Sequence, residues 1–490
     1  QVTSPLRNIP GPFLARFSRL WYLYQSYAGN FHLKNIELHR KHGRIVRLAP
    51  NTYSISEPDK TVYGAGSRFE KNAWYEAWKH PDPKSFTLFA DRNIKRHNDS
   101  RRRVQNLYSM STLVSYEAPV NDCNALLHDK LQDFAATGET IDLGHWLQCY
   151  AFDVIGCITF SKRFGFLDKG EDIHGMIEAL ANSLVMQIWT MALAPLPVYA
   201  GLHPYLHPIL ERFPGSGAAG LTTFMNVVHG MIAERKIARK AGNLDKPRPE
   251  PSEIQDAPQD FLEKIMNAQD DDPSKVTDAH IFVAGWANIN AGSDTTAVSL
   301  SAILYHLIRN PDKLQTLVDE IAAARTKGKC TKLAVPFAEA QNMAYLQACI
   351  KEGVRLHSAT GLPLWRVVPE GGATVCGQFF PGGSTVGVNT WVAHYSEGVY
   401  GIDAGDFRPE RWLEASVDEL RRMNSYFMPF GVGSRTCIGR HISMLEMSKV
   451  LPVLVQNFDF ELVGNEDGWK TRNYWFVKPL DFKVNVRMKN

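Results

Sequence analysis

The segment Phe430-Gly431-Val432-Gly433-Ser434-Arg435-Thr436-Cys437-Ile438-Gly439 carries five typed positions in the order F-x-x-G-x-R-x-C-x-G. A cysteine in this setting suits a thiolate bound to iron. Gly433 and Gly439 let the backbone pass close to a flat ligand and aim N–H groups at a sulfur. Such donors stabilise an anionic sulfur and tune the metal it holds. Phe430 would shield the sulfur from water, and Arg435 offers a planar fork that suits a carboxylate. Beyond Cys437 the apolar spacing turns helical, at Ile438, Ile442 and Leu445. The cysteine therefore falls near a helix N-terminus, whose dipole favours negative charge. The plain alternative is a Gly-rich turn around a structural cysteine.

Such a loop needs a scaffold, and the chain supplies a mainly helical one. From about residue 100 to 240 apolar residues recur at spacings of three and four. A long helix is expected over about 277–309, stopped by Asn310-Pro311, and another over about 343–357. Residues 45–58 alternate as short strands do. Residues 373–394 read as strands joined through Pro381-Gly382-Gly383, and Phe458, Phe460, Phe482, Val484 and Val486 read as a strand pair. Residues 240–275 are polar and read as a long surface loop. The expected fold is mainly α with small β-sheets, as a single domain over 1–490.

Composition narrows the function. Of 490 residues, 44% are hydrophobic and 21% charged, which excludes a disordered or fibrous chain. Lys plus Arg less Asp plus Glu is 54 − 51 = +3, with no basic run that would track nucleic acid. The seven cysteines are odd in number, widely spaced and without a CxxC pair. A disulfide scaffold or zinc site is therefore disfavoured, and a reducing compartment fits. No run of about 18 apolar residues exists to span a membrane. Gln1 at the start suggests a truncated or processed chain.

The cysteine segment resembles the haem-binding loop of the cytochrome P450 haem-thiolate monooxygenases. The resemblance extends over nearly the whole chain. The stretches IPGPFLARFSRLW, NIELHRKHGRIVRLAPNTYSI and CIGRHISMLEMSK resemble fungal microsomal enzymes of the pisatin-demethylase-like group. The resemblance implies the cytochrome P450 fold, haem as cofactor with Cys437 as metal ligand, and reductive activation of O₂. NADPH and flavins would act through a partner reductase.

It also assigns residues. Ala291-Gly292-Ser293-Asp294-Thr295-Thr296 fits the family's oxygen-side helix pattern. A glycine inside a helix costs about 1 kcal/mol, so Gly292 is expected to open a groove above the iron. Asp294 would pass protons inward, and Thr295 would orient bound oxygen and hold a water. Glu352, Arg355 and Arg411 match a structural Glu-Arg-Arg triad. His97 and Arg101, four apart on one helix, match haem-propionate partners, as do Arg435 and Arg366. Trp365 departs from the small residue or proline usual beside Arg366. Pocket walls would come from Trp74, Trp78, Phe86, Phe89, Met186 to Met191 with Trp189, Trp286, Asn290, Thr360 to Leu364 with Pro363, Trp475 and Phe476.

This composition suits a bulky lipophilic guest such as a steroid, isoflavonoid or other secondary metabolite, hydroxylated or O-demethylated. Arg421, Arg422, Arg440, His441 and Lys449 would form a basic face for NADPH-cytochrome P450 reductase, or cytochrome b5. The Pro-Gly-Pro segment at 10–12 resembles the hinge after an N-terminal anchor, and the apolar 184–202 stretch would touch a bilayer. Together they imply the cytosolic face of the endoplasmic reticulum membrane. Oxidative ring coupling, peroxide rearrangement and haem-based sensing are the rival functions on this fold.

Overall fold

The computed structural model describes residues 5–79, 87–193, 205, 208–213, 216–242, 260–464 and 468–489. Its central element is the helix Asp278–Arg309, which packs against the helices Leu143–Phe160 and Ala344–Leu356. Thr277 and His280 exchange capping bonds at its start, and Pro311 opens the next helix, so the two cannot merge. These helices and the terminal helix Arg440–Asn457 share one large apolar core.

A five-stranded sheet stands at the N-terminal side. Its spatial order is Ile45–Ala49, Thr52–Ile55, Thr385–Val388, Arg366–Val367, Glu70–Lys71. The pair Thr52–Ile55 and Thr385–Val388 is parallel, and the others are antiparallel. Lys71 lies directly opposite Arg366. At the other end Phe458–Leu462 pairs antiparallel with Lys483–Met488, as the alternation of that tail predicts.

Two segments differ from the sequence reading. Residues 261–271, expected within a surface loop, form the helix Phe261–Asp271, because Asp260 accepts the Glu263 N–H as an N-cap. Residues 390–394, expected as strand, form a short helix for the same reason, with Asn389 accepting the Trp391 N–H. All seven cysteines are free. Among the described residues no helix is long and apolar enough to cross a membrane. Trp365 is buried; its indole N–H reaches Tyr22 Oη at 3.4 Å, and a Cβ on Gly387 would stand 2.6 Å from its ring. The large side chain is accommodated by a glycine on the neighbouring strand.

Candidate active site

Cys437 ends a tight loop. Its N–H donates to the Phe430 carbonyl at 2.7 Å, and the helix Arg440–Asn457 begins just beyond. Gly433 has φ 68°, and a Cβ there would lie 1.8 Å from the Tyr63 carbonyl oxygen, so only glycine fits. Gly439 has a different role: a Cβ there would meet nothing within 4 Å, and the residue borders a cavity of about 450 Å³. Cys437 and Phe430 line the same cavity. The accessible surface of Cys437 faces this cavity and an adjoining cleft lined by Arg440 and His441, and burial raises its thiol pKa. The backbone N–H groups of Gly439 and Arg440 and the charges of Arg101 and Arg440 pull the other way. They favour the thiolate, as a metal-binding sulfur needs.

One wall of the cavity is cationic. Lys71, His97, Arg101, Arg366 and Arg435 all line it. Arg101 donates to the Thr436 carbonyl at 2.7 Å, Arg435 to the Asp91 carbonyl at 2.9 Å and Arg366 to the Trp365 carbonyl at 2.9 Å. Arg435 Nη2 is buried with no hydrogen-bond partner among the described residues. Burial and Arg366 push the Arg435 pKa down to about 10, and burial and Arg435 push His97 down to about 4. Gathering buried cations this way is costly unless an anion meets them. A thiol at one face, an open glycine and a wall for two carboxylates fit a haem held by Cys437. Lys71 is the member that sequence reasoning missed.

The long helix borders the cavity through Ala291, Gly292, Thr295 and Ser299. Gly292 has a packing role as well: a Cβ there would meet the Ile155 side chain at 3.1 Å. The Thr295 hydroxyl donates to the Ala291 carbonyl at 2.6 Å, leaving its lone pairs free to accept from a water in the cavity. Asp294 does not line the cavity. Neighbouring helix residues point about 100° apart, and that rotation carries its side chain away from the cavity. It is buried, accepts from the Gln148 amide and pairs with Lys478 at 2.7 Å. Lys478 stands on Phe476–Pro479, the strand whose Phe476 lines the cavity.

Of the expected pocket residues, Trp78, Phe89, Trp286, Asn290, Thr360, Leu364, Trp475 and Phe476 line the cavity. Trp74, Met186, Trp189 and Pro363 do not. Trp74 is buried behind the roof, 5.1 Å ring to ring from Trp475. Trp189 is 50% exposed and lies 4.9 Å from the Tyr27 ring. Phe86 lies outside the described residues, as do 194–202 of the apolar stretch. On the helix Met176–Leu193 the cavity face is Leu180, Ser183, Leu184 and Gln187. That is an i, i+3, i+4, i+7 stripe, and Met186 and Trp189 fall off it.

The triad is assembled and fully enclosed. Arg355 makes two bonds of 2.8 Å to Glu352, Arg411 makes a third of 2.8 Å, and the Trp412 indole N–H a fourth of 2.9 Å. Arg355 also donates to the carbonyls of His394 and Ala404, and Arg411 to that of Tyr400. His394, unremarked in the sequence, extends the network. Its Nδ1 donates to the Arg355 carbonyl at 2.9 Å and its Nε2 accepts from the Met428 N–H at 2.9 Å. Burial and Arg355 push its pKa down to about 3, so it is neutral and can serve both bonds. Met428 leads into the cysteine loop. Of the expected basic face, Arg421, Arg422 and Arg440 are exposed, but Lys449 is buried against Glu117 at 2.5 Å and belongs to the core.

A loop thiol, a cationic wall and a glycine-bearing helix around one cavity fit the haem-thiolate class of proteins. The family profile described as cytochrome P450 matches residues 10–486. The chain is 39% identical over 488 residues to a pisatin demethylase of Fusarium vanettenii, covering 99% of this chain and 89% of that protein. It is 35% identical over 500 residues to the cytochrome P450 monooxygenase cicH of Emericella nidulans, covering 100% of this chain and 95% of the other. A cytochrome P450 monooxygenase of Aspergillus terreus is 36% identical over 466 residues, 93% of this chain and 90% of that one. The chain belongs to the cytochrome P450 family.

Proposed function

We propose that this protein inserts one oxygen atom from O₂ into a C–H bond of a bulky lipophilic secondary metabolite. The outcome is hydroxylation, or O-demethylation where the attacked carbon carries an ether oxygen. The observation that carries this reading is a single cavity bordered both by the Cys437 thiol and by the Thr295 hydroxyl. Haem bound through Cys437 supplies the activation of O₂, with electrons from NADPH through a flavin-containing reductase or cytochrome b5. Arg101, Arg366 and Arg435 would hold its propionates, with His97 beside them.

The rest is done by the chain. The rings of Trp78, Phe89, Trp286, Trp475 and Phe476 exclude water and favour an aromatic or polycyclic guest. Asn290 and Gln187 offer amides to orient it. Lys478, 26% exposed in its side chain, links solvent to the buried Asp294 and so to the segment that carries Thr295. Thr295 holds a water where a proton is needed. The similarity to pisatin demethylases favours O-demethylation among the possible outcomes.

The test is reconstitution with NADPH and reductase against a panel of isoflavonoids, terpenoids and steroids. Thr295→Ala should still consume NADPH but release peroxide in place of most of the product. An unchanged product yield per NADPH would remove the proton-holding role.

Phe13, Leu14, Phe17, Leu20 and Tyr24 each expose more than 60% of their surface near the N-terminal end. Such a patch suits a membrane interface, in line with an endoplasmic reticulum location facing the cytosol. Phe17→Glu with Leu20→Glu should at least halve co-flotation with phospholipid vesicles; equal flotation would exclude this patch.

A further inference from the structure

Two of the seven free cysteines meet thiol to thiol, away from the haem cavity. Cys123 stands on the helix Glu117–Thr137 and Cys157 on the helix Leu143–Phe160, and the two helices pack on each other. Close by, the Tyr150 hydroxyl of one helix donates to Asn124 of the other at 2.8 Å and holds the pair in register. Cys123 is 0% exposed, whereas Cys157 is half-buried and within reach of small solutes. The chain after Cys157 turns back over it. A Cβ on Gly156 would meet the Lys162 carbonyl oxygen at 2.7 Å, so a glycine permits that fold. Arg163, on this turn, acts on both thiols while pairing with Asp168 at 2.6 Å. The neighbouring Asp153 carboxylate is taken up by the N–H groups of Gly165, Phe166 and Leu167. The thiol bond runs from the Cys123 S–H to the Cys157 sulfur. It lowers the Cys157 pKa against the effect of burial, with Arg163 in support and Asp153 opposed. The same bond, with burial, raises that of Cys123. The other five thiols are all raised as well, so Cys157 stands alone in favouring the thiolate.

We propose that Cys123 and Cys157 form an oxidation site, where hydrogen peroxide converts the two thiols reversibly into a disulfide. The Cys157 sulfur attacks one peroxide oxygen and the O–O bond breaks. The sulfur keeps one hydroxyl as a sulfenic acid, and the other leaves as water with the Cys157 proton. The Cys123 sulfur then displaces the bound hydroxyl, which leaves as a second water with the Cys123 proton. Two thiols and one peroxide thus become one disulfide and two waters, the sulfurs giving up two electrons and the peroxide oxygens taking them. Small thiols reverse the step by exchange, as a transient disulfide in a reducing compartment requires. The cross-link ties the helix Glu117–Thr137 to the helix that carries Ile155 and Gln148. Ile155 lines the cavity beside Gly292, and Gln148 donates to Asp294. Oxidation therefore braces the support of the oxygen-side helix. Peroxide lost from the oxygen chemistry proposed above is its nearest source; that supply rests on the monooxygenase reading, and the thiol chemistry does not.

The experiment treats the purified holoenzyme with hydrogen peroxide, alkylates the remaining thiols in denaturant and maps the peptides without reductant. The expected product is one cross-linked peptide joining Cys123 to Cys157, two hydrogens lighter than its two parts and lost on adding dithiothreitol. The oxidised protein should also unfold at a higher denaturant concentration, because the bond closes the loop 123–157 in the unfolded chain. Cys123→Ala should stop at a Cys157 sulfenic acid that dimedone traps, and Cys157→Ser should leave Cys123 unreacted. Four results would each overturn the proposal: both thiols fully alkylated after other cysteines have oxidised, Cys157 carried to sulfinic acid with Cys123 still free, a cross-link to any other cysteine, or a midpoint that fails to rise. Because the peroxide is added, each result is read whether or not the chain oxygenates a substrate, so failure here leaves the monooxygenase reading standing.

Discussion

Cys437→Ser should abolish the red-shifted carbon monoxide band of the reduced protein and with it all oxygenation. A serine hydroxyl stays protonated where a thiol yields a thiolate, so the iron would lose the electron-rich ligand of the proposed site. The loop itself should survive. The bond from residue 437 to the Phe430 carbonyl is a main-chain one, and Gly433 is fixed by the Tyr63 carbonyl. The variant is therefore expected as a folded protein, with haem bound weakly or not at all. Circular dichroism checks the fold, and the reduced carbon monoxide spectrum checks the ligand. A variant that kept the red-shifted band would show that another residue holds the iron.

Glu352→Gln should be more damaging to folding than Cys437→Ser. Glu352, Arg355 and Arg411 are 0%, 0% and 2% exposed, and one carboxylate serves both guanidinium groups and the Trp412 indole. Removing its charge leaves two arginines buried with too little compensation, at a cost of about 3–5 kcal/mol. That is a large share of the total stability of a domain. The network reaches the cysteine loop through His394 and Met428, so haem loading should fall with stability. Arg355 and Arg411 overcome the effect of burial and hold the Glu352 carboxyl below its usual value of 4.5. Its contribution is thus complete above about 4.5 and is lost as the pH falls towards the lower folded value. Haem content per protein and the denaturant midpoint measure the effect. Normal loading and an unshifted midpoint would make the triad peripheral.

The parts of this site that were legible in the sequence are those written as short spacings. The Glu352–Arg355 turn and the 291–296 segment each sit within one helix, where three- and four-residue periods determine who can meet whom, and the cysteine loop is one continuous stretch from 430 to 439. The long helix was legible for the same reason, down to its stop at Pro311. Partnerships between distant segments were legible only where the family resemblance supplied them, as for Glu352 with Arg411. Nothing near Lys71 announces Arg366, and nothing near His394 announces Met428, because chain topology brings them together. Helical phase accounts for the errors in the pocket. Met186 and Trp189 fall off the stripe, whereas Gln187, within the same expected stretch 186–191, lies on it with Leu180 and Leu184 and faces the cavity. Asp294, one step along the helix from Thr295, lies off the cavity and pairs with Lys478 instead.

The Tyr63 carbonyl beside Gly433 bears on the order in which the protein matures. The cysteine loop is completed by main chain from the opposite end of the polypeptide, which during synthesis leaves the ribosome long before it. Its final packing therefore needs the segment around Tyr63 in place. Haem capture through Cys437 would follow synthesis of that loop, and polypeptides interrupted before Cys437 should accumulate without pigment even when cofactor is plentiful.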